Sequence, residues 1–443
     1  MPPRIQAAGA GCLVRAIRAY VVFVVGCVTA SVILGYAGAA YRVGRAEAAW
    51  ATKTESMEAF AARYPAEPDS GAAETLDGLT RPLGIRMIWH HGKESADWKG
   101  ANDDLLKRIG TFIGEREHSG TDELVPIPAE AQRLLAQEQT RLSAIEAHII
   151  SGGPLRWEQD ISKGVAAPMA SLLAQRQLQS VLLARAWQAA GRRRGDEVER
   201  ALLASWTLNA SLLDRPDLLS RLIAVAVAEM EHGVLRAARV APEQWLPRLH
   251  AQLFTRDVRI PYQLEAWNWT RFTKGYWGIF DVSYMENGAT PPVSLLGGAG
   301  RVLTTPYVRL SLADMSERLL QATQELAARR RCDFDVDRYA KEFEESFPNW
   351  NILGRLATPA VIRGWTSLRY ADLDRELTER VLLARARRDR SEPWPTEPVA
   401  SAVCEGVTWL QEGASDGSLR VRASERPFAA DTPNWSWAVR LRP

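Results

Sequence analysis

Hydrophobic and polar positions change their rhythm three times along this chain of 443 residues. From Ala19 to Tyr41 there is no charge: "AYVVFVVGCVTASVILGYAGAAY". A hydrocarbon core about 30 Å thick needs about 20 apolar residues, so a helix over 19–41 is long enough to span it. Tyr20, Tyr36 and Tyr41 stand near its ends, where amphipathic rings favour the headgroup region. Residues 42–127 are mixed and broken by "YPAEPDSG" and "HHGKESADWKGAND", which reads as a membrane-proximal segment. From 128 to 390 apolar positions recur mainly at helical spacing, which predicts a helical domain. Beyond "SEPWPTEP" the runs shorten, and 391–443 reads as a small β tail.

Within the helical stretch, "PAEAQRLLAQEQTRLSAIEAHII" (128–150) reads as one amphipathic helix carrying Leu134, Leu135, Leu142, Ile145, His148 and Ile149 on a stripe. Next come "PMASLLAQRQLQSVLLARAWQAA", the turn "GRRRGD", "EVERALLASWTLNASLL", the turn "DRPD" and "LLSRLIAVAVAEMEHGVLRAARV". Short links between helices of this length make antiparallel neighbours. The alanine-rich pair is similar to one tetratricopeptide-type unit, but three copies at a fixed period are not found. The expected class is therefore mainly α, a helical bundle or short irregular α-solenoid. Another helix, "PEQWLPRLHAQLFT", precedes the aromatic stretch "LEAWNWTRFTKGYWGIF" (264–280). "NGATPPVSLLGGAGRVLTTP" then reads as a surface loop, and helices resume at 311–331, 337–347 and 371–390. "VTWLQ", "SLRVRAS" and "WSWAVRLR" predict a C-terminal antiparallel β meander.

Charge bears on orientation more than on partners. The net charge is +2, and the arginines are interleaved with acids rather than gathered in a stripe, so no nucleic-acid partner is expected. Arg4, Arg15 and Arg18 precede the apolar run, while Arg42 and Arg45 are soon offset by Glu47. That bias puts residues 1–18 in the cytoplasm as a tail and the bulk outside: a single-pass protein of a bacterial inner membrane, largely periplasmic. A cleavable signal peptide competes, since "AGA" at 37–39 fits a cleavage site, but the apolar run exceeds a usual signal core. Cys332 and Cys404 are the only cysteines of the exported part. In an oxidising compartment they form one disulfide or remain two buried thiols.

No motif names a reaction. "GASDG" (413–417) matches the serine-hydrolase elbow, but no histidine follows His250 and a hairpin turn explains the same letters. "DFDVDRYAKEFE" (333–344) spaces carboxylates like a calcium loop, yet Arg338 stands where glycine is needed; Asp335 or Asp337 as a helix N-cap is the simpler account. Glu229 and His232 make one E-x-x-H pair without the second that a di-iron site requires, and the histidines read as solvated or core-edge. His90 and His91 are adjacent, so they diverge instead of converging on one metal. "GGAGR" (297–301) lacks the frame of a phosphate loop and reads as flexible. No catalytic residue, metal or cofactor is expected. In the aromatic stretch, Trp269, Phe272, Tyr276 and Phe280 fall on one helical stripe, with Trp267 pointing away. Packing is the leading use of these rings; a ligand platform of Trp267, Trp269, Tyr276, Trp277 and Glu265 and a membrane-edge role are the others.

"PNWNILGRLATP", the helix ending "LLARARRDRSEPWP" and the compact β tail together resemble a group of uncharacterised membrane-anchored bacterial envelope proteins, over about two thirds of the chain. Trp394 and Pro395 stand where that group has tyrosine and proline. The last 70 or so residues also resemble type II secretion pseudopilin heads, although a pseudopilin's helix is its N-terminal anchor. The anchor, the paired helices, the pseudopilin-like end and the failure of every catalytic motif together point to a non-enzymatic, membrane-tethered protein that binds or scaffolds an envelope protein partner, in connection with a secretion or pilus-like assembly. The alternative is a peptidoglycan hydrolase using Glu229, Glu231 or Glu265 as a glutamic acid catalyst of raised pKa.

Overall fold

The computed structural model describes residues 7–88, 102–117, 119–168, 170–256, 258–271, 295–332, 335–392, 397–413, 418–425 and 435–439. It is mainly helical, with one long apolar N-terminal helix and a small C-terminal antiparallel sheet. Helix α1 (Ala7–Lys53) is continuous through the uncharged run and beyond it. Its apolar part is long enough to cross a membrane and is exposed from Arg18 to Ser31. Its last turns enter the domain, where Ala46 and Trp50 are buried.

Three short helices follow α1: α2 (Met57–Arg63), α3 (Gly71–Thr80) and α4 (Asp103–Glu117). Ser56 and Ser70 cap the first two by accepting the N–H three residues on, as helix starts of this type require. The stretch expected as one helix over 128–150 is two, α5 (Ala129–Gln137) and α6 (Gln139–Ser151). The break falls at Glu138, whose backbone leaves the helical region (φ −95°, ψ 13°). Apolar residues on both sides keep facing the same core, which is why the periodicity gave no sign of it.

The three long helices expected next are present as α7 (Leu172–Gly191), α8 (Gly195–Leu213) and α9 (Leu218–Ala237). Arg193 takes a left-handed conformation (φ 59°) to make the first link. In the second link Asp217 accepts from the Ser220 N–H at 2.7 Å, and the buried Arg215 donates to the carbonyls of Trp157, Glu158 and Pro168. Helix α10 (Pro242–Ala251) begins with proline at its first position, and α11 (Arg259–Arg271) carries the described part of the aromatic stretch.

Helix α12 (Leu295–Ala328) overturns the surface-loop expectation where it can be seen: "LLGGAGR" is its first two turns, and Pro306 lies inside it. Propensity alone marks glycine and proline as breakers, yet the helix runs through them, with Pro306 packed against Gly35 of α1. Helix α13 (Val336–Glu345) starts at Asp335, which accepts from the Arg338 N–H at 2.9 Å. The last helix, α14 (Ile352–Asp389), begins about five turns before its expected start at 371. Asn351 caps it through the Gly354 N–H.

Strands β1 (Val399–Ala400), β2 (Thr408–Gly413), β3 (Leu419–Ala423) and β4 (Ser436–Val439) form an antiparallel meander in the order β1-β2-β3-β4. Leu419 and Val421 on β3 and Trp409 and Trp437 on its neighbours are buried together. The sheet is fixed to the helices by the Cys332–Cys404 disulfide, with 5.4 Å between Cα atoms, and by Glu405 N–H donating to the Arg330 carbonyl at 2.9 Å.

Candidate functional site

Charge is concentrated in the interior where α4, α9 and α14 meet. Three acids on one turn and a half of α14, Asp372, Asp374 and Glu376, each hold a different neighbour. Asp372 accepts from the Phe254 and Thr255 N–H groups at 2.8 and 3.1 Å. Glu376 accepts from the Ala402 N–H at 2.8 Å and from the Ser401 hydroxyl. Asp374 faces α9: Arg236 Nη1 donates to Oδ1 at 2.6 Å, and His232 Nδ1 lies 2.9 Å from Oδ2.

Arg236 is shared further. It donates to Thr378 at 2.8 Å and to the Glu117 carbonyl at 2.7 Å, and its guanidinium lies 4.7 Å from the Trp437 ring centroid. His232 Nε2 is 3.1 Å from Gln252 Oε1. Both ring nitrogens are engaged, and the side chain is fully buried, so this histidine offers no lone pair to a metal or substrate. It sits in the centre of the core, not at the edge or in solvent as expected. The close approach of α4 is made at Gly233, where a Cβ would stand 2.8 Å from Glu117 Cα.

The three glutamates considered as catalysts fall in different settings. Glu231 is fully buried and accepts from Ser205 at 2.6 Å and Asn209 at 3.3 Å. Burial pushes its carboxyl up to about 8, against these two bonds. Glu229 is raised well above the usual carboxylate range by burial and then by the Glu117 carboxylate, to which it is hydrogen-bonded. Glu265 is half-buried on α11, and burial with the Asp217 carboxylate pushes it up to about 7. The structure does not bring the three together: two belong to α9 and one to α11.

Of the platform residues, Trp267 is buried against Phe60, Ile161 and Leu264, whereas Trp269 is partly buried against the main core. Both faces of α11 are thus packed: Trp269 meets the core as expected, and Trp267, expected to point away, is covered by α1 and α2. Trp267 also lines a cleft of 30 Å³ with Glu47, Trp50, Gln263 and Thr270. That volume holds one or two waters and not a sugar ring. Tyr276 and Trp277 lie outside the described residues, as do Phe272, Phe280, His90, His91, His118, Asp333 and 414–417. Asp337 pairs with Arg363 at 3.3 Å. Among the described residues no group of three or more His, Cys, Asp or Glu side chains is arranged to hold a metal ion.

Sequence reasoning named Glu229, Glu231 and His232 but missed Asp374, Arg236, Gln252 and Glu117, which give them their setting. A signal was available in "EMEHGVLR" and "ADLDRELTE": several charges on helix turns otherwise rich in Leu, Val and Ala. Such charges need one another when buried. No protein-family model, curated protein or solved structure matches the chain.

Proposed function

We propose that the protein is a membrane-tethered envelope component whose helical domain binds or scaffolds a partner protein on the periplasmic side of a bacterial inner membrane. One observation carries this reading. The helix that is exposed from Arg18 to Ser31 is continuous with a second half bonded into the domain, where Arg42 pairs with Asp314 and Glu317 and Trp50 donates to Ser316. A continuous helix transmits position, so the tether sets the domain's height and orientation on the bilayer. A flexible linker would leave both undefined. The slight excess of arginine before the apolar run supports a cytoplasmic N-terminus. The resemblance of the C-terminal helix and sheet to pseudopilin heads supports the further step to a secretion or pilus-like assembly.

A peptidoglycan hydrolase would need its acid at the floor of a cleft that a glycan can enter. Glu231 is sealed among Ser205 and Asn209, and the cleft beside Trp267 is too small for a sugar. The test is photo-crosslinking from exposed helix positions in intact membranes, beside incubation of the purified chain with peptidoglycan fragments. The tethered scaffold gives a discrete crosslinked protein and unchanged fragments. Glycan cleavage lost in Glu231→Gln or Glu265→Gln would replace this reading by the hydrolase.

A further inference from the structure

Helices α1 and α12 run side by side in the same direction. Tyr36 donates to the Val302 carbonyl at 3.2 Å, Gly35 lies against Pro306 with only 3.1 Å to spare for a Cβ, and Arg42 pairs with Asp314. Partners on α12 are thus numbered about 270 above those on α1, at the equal rise of two α-helices. Val32, Ala39 and Ala46 repeat at seven-residue spacing along the covered face of α1, the seam of a two-helix coil.

That cover begins late. Every residue from Arg18 to Ser31 is exposed, and this bare stretch rises about 21 Å, short of the roughly 30 Å of a hydrocarbon core. If α1 spans, about six further residues must lie at hydrocarbon depth, which takes the boundary to the level of Tyr36 and Tyr41. At that level Tyr36 meets Val302 and Gly35 meets Pro306. Between Val293 and Val308 the sequence holds a single charged residue, Arg301.

At the same level the domain exposes large apolar side chains. Val302 is 51% exposed, Trp350 46% and Ile352 59%, and Tyr307 joins them. Three of them touch: the Tyr307 and Trp350 rings meet edge to face at 6.4 Å, and the Ile352 N–H donates to the Tyr307 hydroxyl at 3.3 Å, while Val302 stands beside Tyr36. Exposed apolar clusters on a domain surface mark contact sites, and rings of Trp and Tyr are favoured at the headgroup boundary.

We propose that Val302, Tyr307, Trp350 and Ile352 form a collar seated in the outer bilayer boundary beside α1, so that the domain itself touches lipid. This rests on the reading of α1 as a spanning anchor. The occupant is the bilayer because the collar lies at the depth where α1 leaves the hydrocarbon. Together, seam and collar hold the domain on the membrane at three points: α1, the start of α12 and the start of α14.

The test uses the full chain, with Cys12→Ser and Cys27→Ser, carrying an environment-sensitive fluorophore on Ile352→Cys. Val302→Cys serves as a second site and Lys341→Cys as an exposed control. A fourth sample keeps Cys27 as the labelled site. Each is reconstituted in phosphatidylcholine–phosphatidylglycerol vesicles with and without a nitroxide-bearing lipid, and is also titrated with iodide. The collar predicts loss of most fluorescence to the nitroxide lipid at 352 and 302, little loss at 341, and shielding of the first two from iodide. Quenching at Cys27 with 352 and 302 open to iodide overturns the collar and leaves the anchor standing. Shielding from both quenchers means protein covers the patch, which also overturns it. Absence of lipid quenching at Cys27 removes the anchor and the collar together.

Discussion

Arg236 donates to Asp374 at 2.6 Å with the Trp437 ring 4.7 Å from its guanidinium, so one buried cation joins α9, α14 and β4. Its second Nη reaches the Glu117 carbonyl and adds the end of α4. Removing one partner of a buried pair leaves an uncompensated charge, at a cost of about 3–5 kcal/mol. Arg236→Met and Asp374→Asn are each expected to lose stability on that scale in denaturant unfolding of the detergent-solubilised chain. The double variant should lose less than the two singles added, since neither charge is then left alone. Additive losses would show that the pair is not coupled.

Glu231 makes stability depend on pH in the direction opposite to a salt-bridged acid. Folded, its carboxyl holds a proton up to about 8, whereas an unfolded glutamate releases it near 4.5. The folded chain therefore binds more protons across that window, and stability falls as pH rises through it, by at most about 1.4 kcal/mol per pH unit for one group. Glu146 and Glu265, each pushed up to about 7 by burial, act with the same sign over a narrower window. The unfolding midpoint is expected to be lower at pH 8.5 than at pH 6, and Glu231→Gln should flatten the slope. A wild-type midpoint that climbs over this range would contradict the placement of Glu231.

The Cys332–Cys404 bridge closes a separation of 72 residues and ties the sheet to the end of α12. Bridges closing long loops stabilise by about 2–4 kcal/mol. Cys404→Ala, or reduction, should lower the melting temperature and expose the sheet to protease before the helices. Identical proteolysis of oxidised and reduced chain would show that the bridge carries no such role.

Gly233 permits α4 to cross α9. Its alanine variant places Cβ 2.8 Å from backbone, which cannot yield as a side-chain tip can. Overpacking of this kind costs about 1–3 kcal/mol. Gly191→Ala, with open space around it, is the control and should be neutral or stabilising. Equal effects at both positions in thermal unfolding would remove the crossing as the reason for glycine at 233.

The elements legible in the sequence are those whose partners lie nearby. The uncharged run of α1, the trio α7 to α9 and the alternation of β3 each announce themselves within twenty residues or so. The middle of α12 does not, because Pro306 reads as a breaker until Gly35, 271 positions earlier, is folded against it. His232 likewise reads as an isolated histidine until Asp374, 142 residues on, is folded against it. Trp267 is covered as well as Trp269, which one helix's periodicity does not reveal because it cannot tell how many sides its neighbours will cover.

The most direct test of tethering is made on the full chain in bacterial cells, tagged at its N-terminus. Membranes are washed with alkaline carbonate, and spheroplasts are treated with protease from outside. A spanning α1 with the domain outside keeps the chain in the membrane pellet, while protease removes the domain and leaves a short tagged fragment protected. Release by carbonate, or a mature chain beginning after "AGA" at 37–39, would contradict it.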